Sequence, residues 1–166
     1  AVERMKVEFE KMILSPHRAL AFRAFVESEL YHSCPDFKEA KETLLKLGEF
    51  PLEKMTITQA WILFAYYERL SIPQLRKVLK NWKSSNDQIS TILTGYQTLL
   101  ARLEKEWDAF LAYECPEVLA IEVEQLLPGI GHSEQLVELE EVYQQLPIRS
   151  MKDIQIDGFG VKEALG

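Results

Sequence analysis

Apolar residues recur every three to four positions through most of this chain, with polar residues on the intervening faces. Met5, Phe9, Met12 and Ile13 form the first such stripe, and Glu3, Arg4, Lys6, Glu8, Glu10 and Lys11 occupy the other sides. Ser15-Pro16 ends this helix and opens the next, Ser as cap and Pro as first helical residue. Leu20, Ala24 and Phe25 are the expected buried stripe of that second helix, which runs to Tyr31. Asp36, with Glu39 three residues on, predicts a capped third helix. Phe37, Ala40, Leu44 and Leu47 would line its inner side, and Gly48 is placed to stop it.

The fourth element, from Thr56 to Leu70, contains Trp61-Ile62-Leu63-Phe64-Ala65-Tyr66-Tyr67 and is apolar all the way round. A helix of that kind belongs in the middle of a bundle. Ser71-Ile72-Pro73 opens a fifth helix reaching Trp82, and Ser85 with Gln88 opens a sixth through Ile92, Tyr96, Leu99 and Leu103. Trp107, Phe110 and Leu111 continue into a seventh that Cys115-Pro116 interrupts. Val118, Ile121, Gln125 and Leu126 resume the pattern until Leu127-Pro128-Gly129 breaks it. Ser133 starts a last helix with Leu136, Leu139 and Tyr143 inside. The prediction is an all-α, irregular multi-helix bundle, with no internal repeat.

Composition agrees. The 166 residues are 47% hydrophobic with seven Gly and seven Pro, enough apolar content for one good core. Cys34 and Cys115 stand far apart, each before a Pro, which is neither a zinc spacing nor a disulfide framework. Reduced thiols in a cytoplasmic protein are the expectation. No apolar run reaches the ~18 residues of a membrane span, and no secretory leader pattern is present.

The net charge of −7 argues against a general nucleic-acid coat. Its distribution changes that picture. From Arg69 to Lys83 there are five cations (Arg69, Arg76, Lys77, Lys80 and Lys83) and no acid, with Asn81 and Trp82 set among them. Arg76, Lys80 and Lys83 are expected on one helix face with Lys77 beside it. A solvated surface is the ordinary source of such a run. It also has the character a phosphate backbone needs, since each neutralised phosphate releases counterions. From Glu104 to Glu124, by contrast, seven acids accompany a single Lys105, and the acidic helices from Glu104 to Glu141 would be the working surface of a protein-binding adaptor.

Catalytic patterns are absent. No Asp-x-Asp pair exists to hold two metal ions, and Glu122 and Glu124 point to different helix faces. There is no Gly-rich phosphate loop, and His17, His32 and His132 are scattered. Ser133 beside His132 reads as a helix cap, because no third group orients it.

Two segments carry a family resemblance. Residues 146–166, LPIRSMKDIQIDGFGVKEALG, resemble the junction between helical body and tail in bacterial CCA-adding enzymes, the tRNA nucleotidyltransferases. Residues 1–11, AVERMKVEFEK, resemble the end of the neck in the same family, through Glu3, Arg4, Glu8, Phe9 and Lys11. Where the family's tail pattern has Asp-Leu after the turn, this chain has Gly160-Val161, and the Gly-Pro-Trp element that follows is not present.

The resemblance implies a neck helix over 1–14, a body over 15–146 and a truncated start of the tail over 147–166. It implies Arg76, Lys77, Lys80, Lys83, Arg149 and Lys152 as RNA contacts, and Glu3, Arg4 and Glu8 as structural neck residues, with Arg4 pairing to Glu8. tRNA would be the partner. Mg²⁺, CTP and ATP would be bound only by a missing catalytic head, so residues 1–166 alone would neither polymerise nor bind nucleotide. Val161, Ala164 and Leu165 form an apolar stripe expected to fray, or to exchange between copies at a hinge near Arg149-Ser150. Within the same superfamily, a poly(A) polymerase is the alternative.

Overall fold

A computed structural model of the protein describes residues 1–146. Nine α-helices follow one another among these residues: α1 (Val2–Leu14), α2 (Arg18–Glu27), α3 (Lys41–Glu49), α4 (Ile57–Glu68), α5 (Ile72–Asn81), α6 (Asn86–Glu104), α7 (Ala109–Tyr113), α8 (Glu117–Glu124) and α9 (Leu136–Gln144). Single 3₁₀ turns lie at Leu30–Ser33 and Pro128–Ile130, and the described residues contain no strand. The all-α class holds. The chain divides into two compact units, Ala1–Tyr96 and Gln97–Gly166, with the division falling inside α6.

The first unit is built on aromatic rings. Phe9 of α1 touches Phe22, Phe37, Trp61 and Trp82 with ring centroids 5.8, 5.1, 5.4 and 5.3 Å away. Phe37 and Trp82 approach to 4.8 Å, and Trp61 packs edge-on to Phe64 at 5.5 Å. All six rings are buried, and tilted and edge-on pairs of this kind stabilise beyond their area by about 0.5–1.5 kcal/mol each. α4 runs through the middle, with Gln59 to Phe64 and Ala65 buried as its unbroken apolar sequence predicts. Its start is a capping box, in which Thr56 Oγ1 accepts from the Gln59 amide and Gln59 Oε1 accepts from the Thr56 amide, both at 3.0 Å.

Several expectations fail here for identifiable reasons. Ser15-Pro16 forms a turn, with the His17 amide donating to Ser15 Oγ, and α2 begins only at Arg18. The buried face of α2 is Arg18, Phe22 and Val26, whereas Leu20 is 60% exposed. Arg18 turns inward because the end of α3 offers acceptors. Its Nε donates to Leu47 O at 2.9 Å, and its Nη2 to Phe50 O at 2.7 Å and Leu52 O at 2.8 Å. A guanidinium at a helix C-terminus satisfies orphan carbonyls and meets the negative end of the dipole.

Asp36 is no cap either: it sits in the left-handed region with φ 62, and α3 starts at Lys41. Phe37, Ala40, Leu44 and Leu47 are nonetheless all buried. Gly48 does not stop α3 but lies within it, where α2 crosses closely. A Cβ at this position would stand 2.7 Å from Phe22 Cβ and 3.4 Å from Ala19 Cα.

In the second unit a fully buried carboxylate organises the helices. Glu124 of α8 accepts from Arg102 Nε and Nη2, both at 3.1 Å, from Trp107 Nε1 at 2.6 Å and from the Gln135 amide at 2.5 Å. Tyr143 of α9 donates its hydroxyl to Cys115 O at 2.5 Å. The inner face of α8 is Leu119, Ala120, Val123 and Glu124, and the expected inward Val118 is 74% exposed. Phe110 likewise faces outward at 71%, Trp107 precedes α7, and α9 begins at Leu136 rather than at Ser133. With fewer than three turns per helix, the apolar period cannot fix its own phase, and the tertiary partners decide.

Gly48→Ala is expected to destabilise the protein by about 1–3 kcal/mol through overpacking against Phe22, more than the helix gain of about 0.5–1 kcal/mol returns. Urea denaturation checks this, and an unchanged or raised midpoint would mean that α2 and α3 are not in contact there.

Burial pushes the Cys115 thiol up to about 11, ahead of hydrogen bonds from Thr98 and Tyr143 that act the other way. The unfolded thiol ionises near pH 9, so between roughly pH 9 and 11 the folded chain binds more protons and stability falls as pH rises. Burial raises the Tyr143 phenol in the same sense. Melting temperature should decline above pH 9 and decline less in Cys115→Ala.

Candidate nucleic-acid interface

The amphipathic helix α5 carries the basic cluster. Ser71 caps it, its Oγ accepting from the Gln74 amide at 3.2 Å while Gln74 Oε1 accepts from the Ser71 amide at 2.8 Å, and Pro73 lies in the first turn. Leu75, Val78 and Leu79 are buried on one side. Arg76, Lys77 and Lys80 consequently share the opposite side, and all three are exposed. At about 100° per residue, positions 76, 77 and 80 fall within roughly one third of the helix circumference.

The C-terminus of α5 is fixed by two side chains that sequence reasoning placed in the cluster itself. Trp82 is not part of the basic surface: it is fully buried, and its Nε1 donates to Pro35 O at 2.9 Å. Asn81 Nδ2 donates to Asp36 Oδ2 at 3.0 Å. Both anchor the end of α5 to the turn before α3. Their aromatic and amide chemistry therefore serves structure.

Lys83 lies beyond the helix rather than on it. Its backbone is left-handed, φ 62, with its amide donating to Lys80 O and the Ser84 amide to Leu79 O, each at 3.0 Å. These two bonds are a Schellman motif, in which the left-handed residue is most often Gly. α4 ends in the same way, with Arg69 at φ 56 and the Leu70 amide on Ala65 O at 3.0 Å. Both left-handed positions carry exposed cations close to a helix C-terminus, where the dipole favours them.

None of Arg69, Arg76, Lys77, Lys80 and Lys83 takes part in an ion pair among the described residues; the pairs found there are Lys6–Glu10, Lys11–Glu8, Arg102–Glu124 and Lys105–Asp108. The cations of α5 are thus available to an external anion. Arg149 and Lys152 lie outside the described residues, as does the apolar stripe of Val161, Ala164 and Leu165.

In α1, Glu3, Arg4 and Glu8 are exposed, but the expected Arg4–Glu8 pair is replaced by Glu8–Lys11 at 3.5 Å. Three- and four-residue spacings both bring side chains together on a helix, so Lys11 competes for the same carboxylate. Phe9, from the same segment, proves to be the hub of the core.

Among the described residues, no three His, Cys, Asp or Glu side chains come together as metal ligands. Glu124 is occupied by four donors, and His17, His32 and His132 are separate and exposed. No helix among the described residues is long and apolar enough to cross a membrane.

Residues 52–166 match the model of the family described as tRNA nucleotidyltransferase domain 2. The chain belongs to this family. It is 32% identical over 159 residues to a CCA-adding enzyme of Enterococcus faecalis (strain ATCC 700802 / V583), covering 95% of this chain and 39% of that enzyme. CCA-adding enzymes of Limosilactobacillus reuteri (strain DSM 20016) and Bacillus cereus (strain AH820) are 29% and 30% identical, each over 95% of this chain and 40% of theirs. The chain thus spans about two fifths of the length of the curated relatives it matches, and the matched stretch is a C-terminal part of the enzyme. No solved structure matches. The described residues of this family member are helical, and α5 carries a cationic face.

The left-handed backbone at Lys83 makes a stability prediction free of charge effects. Lys83→Gly should be more stable than Lys83→Ala by about 1 kcal/mol, because only the Ala variant carries a Cβ in the left-handed region. Thermal melts of the two variants measure this, and the reverse order would show that the turn after α5 is not left-handed.

Proposed function

We propose that this chain is the tRNA-binding helical portion of a cytoplasmic nucleotidyltransferase that adds C, C and A to the tRNA 3′ end from CTP and ATP. The observation that carries this reading is the row of unpaired, exposed cations on α5 in a chain of net charge −7 whose relatives are CCA-adding enzymes. The division of labour follows from what the sequence lacks. Two Mg²⁺ ions require closely spaced carboxylates, so the metals, the incoming nucleotide and the phosphoryl transfer belong to a part of the protein other than residues 1–166.

The helical portion grips the acceptor stem and elbow. A-form RNA offers phosphates and 2′-hydroxyls across a wide, shallow minor groove, and such a surface is recognised by shape. Arg76, Lys77, Lys80 and Lys83 would meet backbone phosphates of the tRNA, and Arg149 and Lys152, outside the described residues, would be further RNA contacts. Each basic side chain adds affinity without sequence preference, as suits an enzyme that serves many tRNAs. Residues 1–14 would be the end of the neck helix, residues 15–146 the body, and residues 147–166 the linker and the start of the tail.

The test is charge reversal. Arg76→Glu, Lys80→Glu and Lys83→Glu together should weaken tRNA binding by the intact enzyme and flatten its salt dependence. The slope should fall by up to about 0.9 for each phosphate that is no longer neutralised. Affinity for CTP and ATP should not change. Wild-type tRNA affinity in filter binding would show that the α5 cations are only a solvated face.

A further inference from the structure

The central helix α4 leaves the core at its last turn. Ala60 to Ala65 are buried, Tyr66, Tyr67 and Glu68 are half-buried, and Arg69 is exposed. The two tyrosine rings meet edge-on, with centroids 5.4 Å apart. Tyr96 and Tyr143 donate their hydroxyls to backbone carbonyls, but the hydroxyls of Tyr66 and Tyr67 go to no described residue. The pair therefore stands at the surface with apolar bodies and free polar tips.

Cations frame it. On α3, Lys46 lies at helical spacing from Glu42 and Glu49, yet it forms an ion pair with neither. Its Nζ instead sits over the Tyr67 ring, 4.9 Å from the centroid. Arg69, left-handed and exposed, follows two residues after Tyr67 and directly precedes the start of α5. Glu68, the one acid between them, is engaged by Thr43 Oγ1, which donates to its Oε2 at 2.5 Å.

From this arrangement we infer that Tyr66 and Tyr67 are a stacking site for an unpaired nucleotide of the bound RNA, with Lys46 and Arg69 meeting the phosphates beside it. The inference rests on the reading that the chain binds tRNA, and it adds a contact of another kind. The cations of α5 can meet only the charged backbone, whereas a half-exposed ring offers a flat face to a base. In a duplex the bases are stacked on one another and hidden from such a ring; loops and single-stranded ends present them. Stacking accepts any base, because every base has a π-face, so this site too would serve many tRNAs.

The two contributions separate in their response to salt. In the intact enzyme, Tyr66→Ala with Tyr67→Ala should weaken tRNA binding roughly fivefold to hundredfold, the loss expected for one unstacked base. The slope of log K against log salt should keep its wild-type value, since no charge is removed. Tyr66→Phe with Tyr67→Phe retains both rings and should bind like the wild type. Lys46→Ala with Arg69→Ala should flatten the slope instead, by up to about 0.7 for each phosphate no longer neutralised.

Ultraviolet crosslinking of the wild-type complex keeps the question answerable if the alanine variant fails to fold. After nuclease digestion, peptide mass mapping should find a nucleotide on Tyr66 or Tyr67 that derives from an unpaired position of the tRNA. Unchanged affinity in a folded alanine variant would overturn the inference. So would a loss accompanied by a flatter slope, or adducts confined to other residues or to paired nucleotides. Binding of tRNA by the wild-type enzyme is scored separately. Its absence would remove the tRNA-binding reading and this inference with it, whereas wild-type binding that the alanine variant retains would remove the inference alone.

Discussion

Six buried rings hold the first unit in register. Phe9 brings α1 onto the cluster, Phe22 brings α2, Trp61 and Phe64 are the centre of α4, and Trp82 closes it at the end of α5. Rings that meet edge-on or tilted have preferred mutual angles, so they constrain orientation as well as distance. The consequence for α5 is direct. Trp82 lies in the core with its indole nitrogen on Pro35 O, and the opposite side of the helix therefore presents Arg76, Lys77 and Lys80 to solvent. The cationic surface is a by-product of how its back is packed.

The same cluster explains why the first residues cannot be treated as an appendage. Phe9 and Ile13 are 2% and 1% exposed. α1 is a working part of the core on one side, and on another it lines an apolar groove of about 700 Å³ with residues of α2.

Much of this was legible in the sequence, and the failures have a common cause. Capping boxes at Thr56/Gln59 and Ser71/Gln74 are local, so their residues suffice to locate α4 and α5. The all-round apolar character of α4 and the cation run after Arg69 are similarly local. Arg18 and Glu124 were not readable as buried, because a charge is placed inside only when distant partners complete it. Those partners are the Leu47, Phe50 and Leu52 carbonyls in one case and Arg102, Trp107 and Gln135 in the other. Gly48 looked like a stop for the same reason, since its true neighbour, Phe22, is remote in sequence. In α7 and α8 the helices are too short for periodicity to identify the inner face, and outward Phe110 and Val118 were misread as core.

The buried carboxylate of the second unit has a consequence for how this protein can vary. Glu124 receives four hydrogen bonds, two of them from Arg102. Removing either charge strands the other in the interior, a loss of about 3–5 kcal/mol, whereas exchanging both for well-packed apolar residues is often neutral. The route between two functional sequences thus passes through a deep fitness valley, and Arg102 and Glu124 are free to drift only as a pair. Across a large set of relatives these two positions should be inherited like a single character: present together, or replaced together, with Trp107 following because its indole N–H would be left without an acceptor.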